Sequence, residues 1–127
     1  MNKYQNLPEL FFSKAKDNLK NQHLLKINNN SNKIESWTWT NTYSSVNKIY
    51  QFIHSQNLEK NERILLVSEN RPEWMAADIA IMSNQLVAVP NYITYTSRDF
   101  EHILNDSKPK GLIVSNKTLL ETVLIAA

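Results

Sequence analysis

Glu62-Arg63-Ile64-Leu65-Leu66-Val67-Ser68-Glu69-Asn70-Arg71-Pro72-Glu73-Trp74-Met75-Ala76-Ala77-Asp78-Ile79-Ala80-Ile81 is the stretch on which the fold turns. It opens with a short, unbroken aliphatic run, Ile64 to Val67, the mark of a strand covered on both faces in a parallel sheet. Pro72 follows a polar turn and fits a first helical turn, where its missing N–H would be unpaired in any case. Trp74, Ala77 and Ile81 then fall on one face at helical spacing, so the segment reads as strand, turn and helix.

Downstream the same alternation repeats. Leu86-Val87-Ala88-Val89 and Leu112-Ile113-Val114 read as further strands, with helices expected over residues 72–83 and 97–105 and a last one starting near Lys117. Crossovers of this kind are right-handed almost without exception, which implies a layered α/β fold with a mostly parallel sheet and flanking helices. Upstream, Pro8 and the spacing of Leu10, Phe11, Ala15 and Leu19 predict a helix over residues 8–21. Residues 23–27 and 34–39 predict two short strands joined by the Asn-rich turn 28–32. Tyr43, Val46, Ile49, Tyr50 and Ile53 line one face of a helix expected over residues 41–56, which ends in the polar segment 57–62.

Composition sets the outer bounds. A chain of 127 residues has room for one ordinary domain and no large multi-domain enzyme. With 42% hydrophobic and 20% charged residues it is too apolar for a disordered tail, and its formal charge of +2 is spread along the chain without a nucleic-acid-binding stripe. There is no cysteine, which excludes disulfides, thiolate nucleophiles and cysteine-built metal sites. A single glycine, Gly111, stands where average usage would give roughly nine, so glycine-rich phosphate-cradling loops are excluded as well. The apolar patch Leu10-Phe11-Phe12 has Glu9 beside it and no small-residue cleavage site, so a secretory signal is not expected and the cytoplasm is. The apolar stretch 119–127 is broken by Glu121 and falls short of the ~20 residues that span a bilayer.

Ser68 to Trp74 lies just past a strand's carboxyl end, where open parallel sheets bind ligands, and is the best-placed candidate site. A structural reading outweighs the functional one: Asn70 as N-cap, Pro72 in the first turn, and Glu73 returning a capping-box bond. Ser68 lacks the glycines of a nucleophile elbow. His23, His54 and His102 share no metal-ligand spacing, and Glu101, His102 and Asp106 read as the solvated face of a short helix. Tyr92 and Tyr95 could line a pocket, but boundary aromatics with their hydroxyls in water are the expected reading. Thr96 or Ser97 is expected to start the next helix. No catalytic, cofactor-binding or metal-binding residue is assigned from sequence.

Taken in order and spacing, several segments resemble the amino-terminal region of the AMP-forming acyl-CoA synthetases, members of the adenylate-forming ligase superfamily. Thr38-Trp39-Thr40-Asn41 with Val46-Asn47 is similar to that family's helix start. Glu62 to Trp74, continued by Ala77-Asp78-Ile79-Ala80-Ile81, is similar to its strand leading into Glu-Asn-Arg-Pro-Glu-Trp. Val87-Ala88-Val89-Pro90-Asn91-Tyr92, Ile103-Leu104-Asn105-Asp106-Ser107 and Gly111-Leu112-Ile113-Val114-Ser115 complete the series over nearly the whole chain. Trp39 and the Asn-Arg-Pro-Glu-Trp run lean toward the fatty-acyl branch. Two departures stand out: Asn61 and Gln85 occupy places where the family commonly has glycine, and the second bears on close helix–strand packing.

The resemblance implies a chain, 1–127, that is a partial amino-terminal AMP-binding domain of a fatty-acyl-CoA synthetase, a ligase that activates a fatty acid with ATP and Mg²⁺ and transfers the acyl group to coenzyme A. The phosphate loop, the adenosine contacts and the catalytic lysine of such ligases have no counterpart here, and Ser115-Asn116-Lys117-Thr118 is not that loop. The fragment alone is therefore expected to be inactive, to bind none of these cofactors tightly, and to need the remainder of the ligase chain as partner, with peripheral membrane association allowed and nucleic acid not involved. The apolar last helix, residues 119–127, without a capping glycine, agrees with a truncated unit. The competing expectation is a free-standing α/β binding or interaction module without ligase chemistry.

Overall fold

The computed structural model describes residues 3–28 and 31–127. Residues 29 and 30, the middle of the expected Asn-rich turn, lie outside the described residues, as do residues 1 and 2. Ten elements follow in order: α1 (Leu7–Asn18), β1 (Gln22–Asn28), β2 (Lys33–Thr38), α2 (Trp39–His54), β3 (Arg63–Val67), α3 (Pro72–Ser83), β4 (Val87–Asn91), α4 (Ser97–Ser107), β5 (Gly111–Val114) and α5 (Lys117–Ala126). Every element expected from the sequence is present, with no end shifted by more than three residues.

Local chemistry starts the helices where it should. Thr38 caps α2 and Thr96 caps α4, each in a full capping box: Asn41 and Asp99 return the bond to the cap N–H at 2.8 Å. Asn6 and Asn116 cap α1 and α5, accepting from Glu9 and Leu119 N–H groups at 2.9 Å. The start of α3 differs from expectation. Arg71, not Asn70, is the N-cap residue, and no side chain caps the helix there. The capping box expected from Glu73 does not form either, because its carboxylate is held by the Arg71 guanidinium.

β1 and β2 pair antiparallel as a separate ribbon. The main sheet is parallel with strand order β4-β3-β5, so the first crossover steps to one side of β3 and the second passes back beyond it. Right-handed crossovers in opposite directions put α3 and α4 on opposite faces. The packing agrees. One core gathers Phe11, Val46, Ile53, Ile64, Ala76, Ile79, Ala80, Ile81 and Leu86 from α1, α2, α3 and one face of the sheet. The other gathers Leu65, Val67, Phe100, Leu119 and Val123 from the opposite face with α4 and α5. α3 is apolar nearly all round, as suits a helix packed between the sheet, α1 and α2.

Among the described residues, five non-glycine residues take left-handed backbone angles: Asn32, Asn57, Asn61, Gln85 and Lys108. Asn61 and Gln85 act as a pair. The Asn61 N–H donates to the Gln85 carbonyl at 2.9 Å, and the Val87 N–H donates to the Glu62 carbonyl at 2.9 Å, so the two tight turns align the first rung of β3 and β4. Gln85 does not loosen the helix–strand packing. Leu86 beside it is buried and its N–H still reaches the Ile81 carbonyl at 3.2 Å. Gly111 has no left-handed angle; its role is steric, since a Cβ there would stand 2.8 Å from Ile64 Cδ1 on the neighbouring strand.

Two substitutions test these positions. Gln85→Gly removes a left-handed Cβ penalty of about 1–2 kcal/mol against a smaller gain in unfolded-chain entropy, so urea denaturation should show a net gain of about 0.5 kcal/mol. Gly111→Ala should cost about 1 kcal/mol by overpacking against Ile64. Combined with Ile64→Val, which removes the opposing methyl group, the loss should be smaller than the sum of the two single losses.

Candidate functional site

Because α3 leaves β3 toward one face and α5 lies with α4 on the other, the carboxyl ends of the adjacent strands β3 and β5 flank a switch-point crevice. This is where open α/β sheets place ligand-binding groups. The crevice is small, about 210 Å³, and lined by Leu66, Ser68, Arg71, Glu73, Trp74 and Ser115, with Ala77 and Ile113 at its base.

A chain of charge-assisted hydrogen bonds crosses it. Arg71 grips Glu73 with a two-point contact, Nε to Oε2 at 2.9 Å and Nη2 to Oε1 at 2.8 Å, and reaches Glu69 with Nη1 at 3.3 Å. The other oxygen of Glu69 accepts from the Ser115 hydroxyl at 2.5 Å, and the Asn116 amide donates to that same hydroxyl oxygen at 3.3 Å. Two loops 46 residues apart in sequence are thereby tied across the strand ends. The Arg71 guanidinium holds the Glu73 carboxyl down to about 2, aided at longer range by Lys26 of β1. The Ser115 hydroxyl, with Arg71 behind it, holds Glu69 below the usual carboxylate range, and Glu73 foremost raises Arg71 further.

Each residue considered from sequence finds a place. Ser68 donates to the Glu69 carbonyl at 2.9 Å. Trp74 is half-buried and forms one wall of the crevice, while Ala77 and Ile81 are buried as core. Tyr92 is 71% exposed and lines an open groove with Asn70, Trp74, Pro90 and Ile93. Tyr95 instead packs edge-on against Phe100 in the second core. His23 stacks on Trp39 at 3.7 Å and shares a 2.9 Å hydrogen bond with the buried Thr42 hydroxyl; burial pushes its pKa down. His54 stacks on Tyr50, and Glu101, His102 and Asp106 are exposed on α4. Burial raises the carboxyl of Asp78, which sits mid-helix in α3. Among the described residues no group of His, Cys, Asp and Glu is placed to hold a metal ion.

The Glu69–Ser115 link is what sequence reading missed. Its signal was topological: both residues stand one or two positions past the ends of strands that prove to be neighbours, β3 and β5. Chemically the cluster is a clamp. Both carboxylates already accept charged or hydroxyl donors, and the guanidinium is shared between them.

The model of the AMP-binding enzyme family matches residues 13–126 of this chain. The chain belongs to that family. Fatty acyl-CoA synthetase A of Dictyostelium discoideum is 34% identical over 73 residues, which is 58% of this chain and 11% of that protein. The fatty acid AMP ligase of Legionella pneumophila shares the fold at 16% identity with a TM-score of 0.77, covering 88% of this chain and 20% of that one. The structure of VinN superimposes with a TM-score of 0.87 at 14% identity, covering 98% of this chain and 31% of its own. The chain thus spans a third or less of the length of each of these proteins. Among the described residues no helix is long and apolar enough to cross a membrane.

The clamp predicts a pH signature. A Glu73 carboxyl depressed from 4.5 to about 2 stabilises the fold above the unfolded value, and this contribution is lost as pH falls through 4.5 toward 2. Because the pair is partly solvent-exposed, its worth is discounted to about 1 kcal/mol or less. In urea denaturation Glu73→Gln should cost about that much at pH 7, and wild type and variant should converge as the pH approaches 2.

Proposed function

We propose that this chain is the amino-terminal portion of an AMP-forming fatty-acyl-CoA synthetase and serves it as scaffold. The observation that carries this reading is the 34% identity with a fatty acyl-CoA synthetase over 73 residues, set within a family match from 13 to 126. In this reading the 127 residues are part of one AMP-binding domain, the substrate is a fatty acid, and the setting is cytoplasmic lipid metabolism.

The residues present do not fit the phosphates of ATP. Glu69 and Glu73 outnumber Arg71 at the crevice, so a polyphosphate would meet net negative charge, and the guanidinium is already bonded to both carboxylates. The loop after β5 is likewise engaged: Asn116 caps its own helix and Lys117 Nζ lies 3.6 Å from Glu121. No step of fatty-acid activation or of transfer to coenzyme A is assigned to these residues. They tie the loop after β3 to the loop after β5, and the clamp sets the spacing of those two loops.

Two assays test the reading. The isolated chain should give no fatty-acid-dependent ATP–pyrophosphate exchange; turnover comparable to an intact ligase overturns its scaffold role. A chimaera carrying residues 13–126 in place of the matched part of an intact fatty-acyl-CoA synthetase should form acyl-adenylate from fatty acids. A chimaera that melts cooperatively yet activates no fatty acid refutes the assignment.

A further inference from the structure

We propose that His23 is an acid-sensitive pin: its neutral ring locks the base of the β1–β2 ribbon to the start of α2, and in mild acid the ribbon swings free while the main sheet stays folded. Every contact concerned lies inside the fold, so none of the outer surface has to be free. His23 is the residue of β1 that the register skips: Gln22 stands opposite Thr38 and Leu24 opposite Trp37. A bulge of this kind re-aims a side chain. Here it turns the ring onto Trp39, stacked at 3.7 Å and 21°, beside Phe11 of α1 and with Nδ1 2.9 Å from the Thr42 hydroxyl. Phe11 is 4% exposed and Thr42 has no exposure at all. One ring thus joins β1, α1 and α2.

The pin needs a neutral ring. The Thr42 hydroxyl has two hydrogen-bond partners, the ring and the Thr38 carbonyl at 3.4 Å. A neutral ring nitrogen can accept the hydroxyl proton at the shorter distance; an imidazolium can only donate, which leaves that proton to the long bond. The second ring N–H of the imidazolium has no acceptor among the described residues. The indole face of Trp39 attracts a cation and opposes this cost, and the burial that pushes the His23 pKa below 6.5 prevails. No carboxylate compensates. β1 and α2 have none; Glu9 of α1 accepts from the Gln5 N–H, Glu35 of β2 stands opposite Lys26, Glu73 of α3 is held by Arg71, and neither Asp17 of α1 nor Asp78 of α3 acts on the ring. Nor does a lysine of these elements, Lys14, Lys16, Lys26, Lys33 or Lys48: burial alone moves it.

Just before His23 the chain is held by bonds that involve no titratable group. The Trp39 N–H donates to the Asn21 carbonyl at 3.0 Å, and the Thr40 N–H and hydroxyl donate to the Leu19 carbonyl at 3.0 and 2.7 Å. They make a hinge. Beyond it β1 and β2 pair with each other as a sheet of their own, so among the described residues opening breaks no strand pairing of the β4-β3-β5 sheet. The open state takes up a proton at the ordinary value and the closed state only below it. The contribution of the pin is therefore full above pH 6.5 and is lost as the pH falls below it. The Glu73 contribution fades only between 4.5 and about 2, outside this window.

Amide hydrogen exchange followed by NMR on this chain, from about pH 7 to about pH 5 where histidine changes charge, tests the pin. After correction for intrinsic exchange, protection of the bonded amides of β1 and β2 should fall about fivefold over that range, while protection of β3 holds. His23→Phe keeps a ring on Trp39 and removes the titration, so ribbon protection should be lower at neutral pH and flat into mild acid. The His23 Hε1 resonance, assigned by its loss in that variant, should titrate below 6.5 in the wild type. A midpoint at or above 6.5 overturns the proposal, as does a pH dependence that survives in His23→Phe or is shared equally by β3. Should the variant not fold, the wild-type titration and the comparison of ribbon with β3 decide by themselves. None of these readouts involves ligase activity, so the pin and the ligase reading stand or fall separately.

Discussion

Leu65, Leu66 and Val67 have no solvent exposure, and since neighbouring residues of a strand face opposite ways, one helical layer alone cannot cover them. Burying each such side chain is worth about 1.5–3 kcal/mol, so β3 is stable only between two layers. Those layers are the α1–α3 group and the α4–α5 pair, and each contains a core that the other does not share. With β3 central, β4 and β5 must take its two sides, and the handedness of the crossovers then fixes which helix lies on which face. The crevice at the strand ends is a consequence of that arrangement and needs no separate cause.

Most of this was legible because burial writes periodicity into sequence. The runs at β3, β4 and β5 are nearly continuous in aliphatics, and α2 repeats its apolar residues at three and four. Thr96 was expected at a helix start and caps α4, whereas Thr38, which entered only through the resemblance, caps α2 two residues ahead of the expected start. The start of α3 shows where such rules fail. Asn70-Arg71-Pro72-Glu73 satisfies the capping pattern on paper, yet a guanidinium two residues from a carboxylate competes for it and forms two charge-assisted bonds. Two parallel charge-assisted bonds to one guanidinium outweigh the single carboxylate–backbone bond that a capping box would make. The Glu69–Ser115 bond was illegible for a different reason: it depends on β5 lying beside β3, and no local pattern encodes strand order.

The scarcity of glycine is met by substitution of chemistry for permissiveness. Asn tolerates left-handed angles because its short amide can bond locally, and among the described residues three of the five left-handed ones are Asn. Gln85 and Lys108 have no such excuse. Each stands just past a helix, where the turn must close whatever residue occupies it: Gln85 before β4, Lys108 before β5. The Gln85 strain is held by the paired turn at Asn61, whose N–H it accepts. Gly111 remains where distance, not dihedral angle, leaves no room for a methyl group.

The clamp at the switch point bears directly on what these residues contribute to an AMP-binding enzyme. A ligand site in such a crevice keeps donors free and aimed at where negative charge will sit. Here the donors face inward. Arg71 is divided between Glu69 and Glu73, Ser115 donates to Glu69, and the space left is about 210 Å³, below the size of an ordinary small-molecule pocket. Opening it for a phosphate would strip two carboxylates of their cation inside a partly buried cleft, a cost that like charges nearby would increase. Held closed, the same bonds fix the loop after β3 against the loop after β5 and leave Trp74 and Tyr92 as the faces turned outward. That is the behaviour of a brace: it holds the carboxyl end of β3 at a set distance from that of β5.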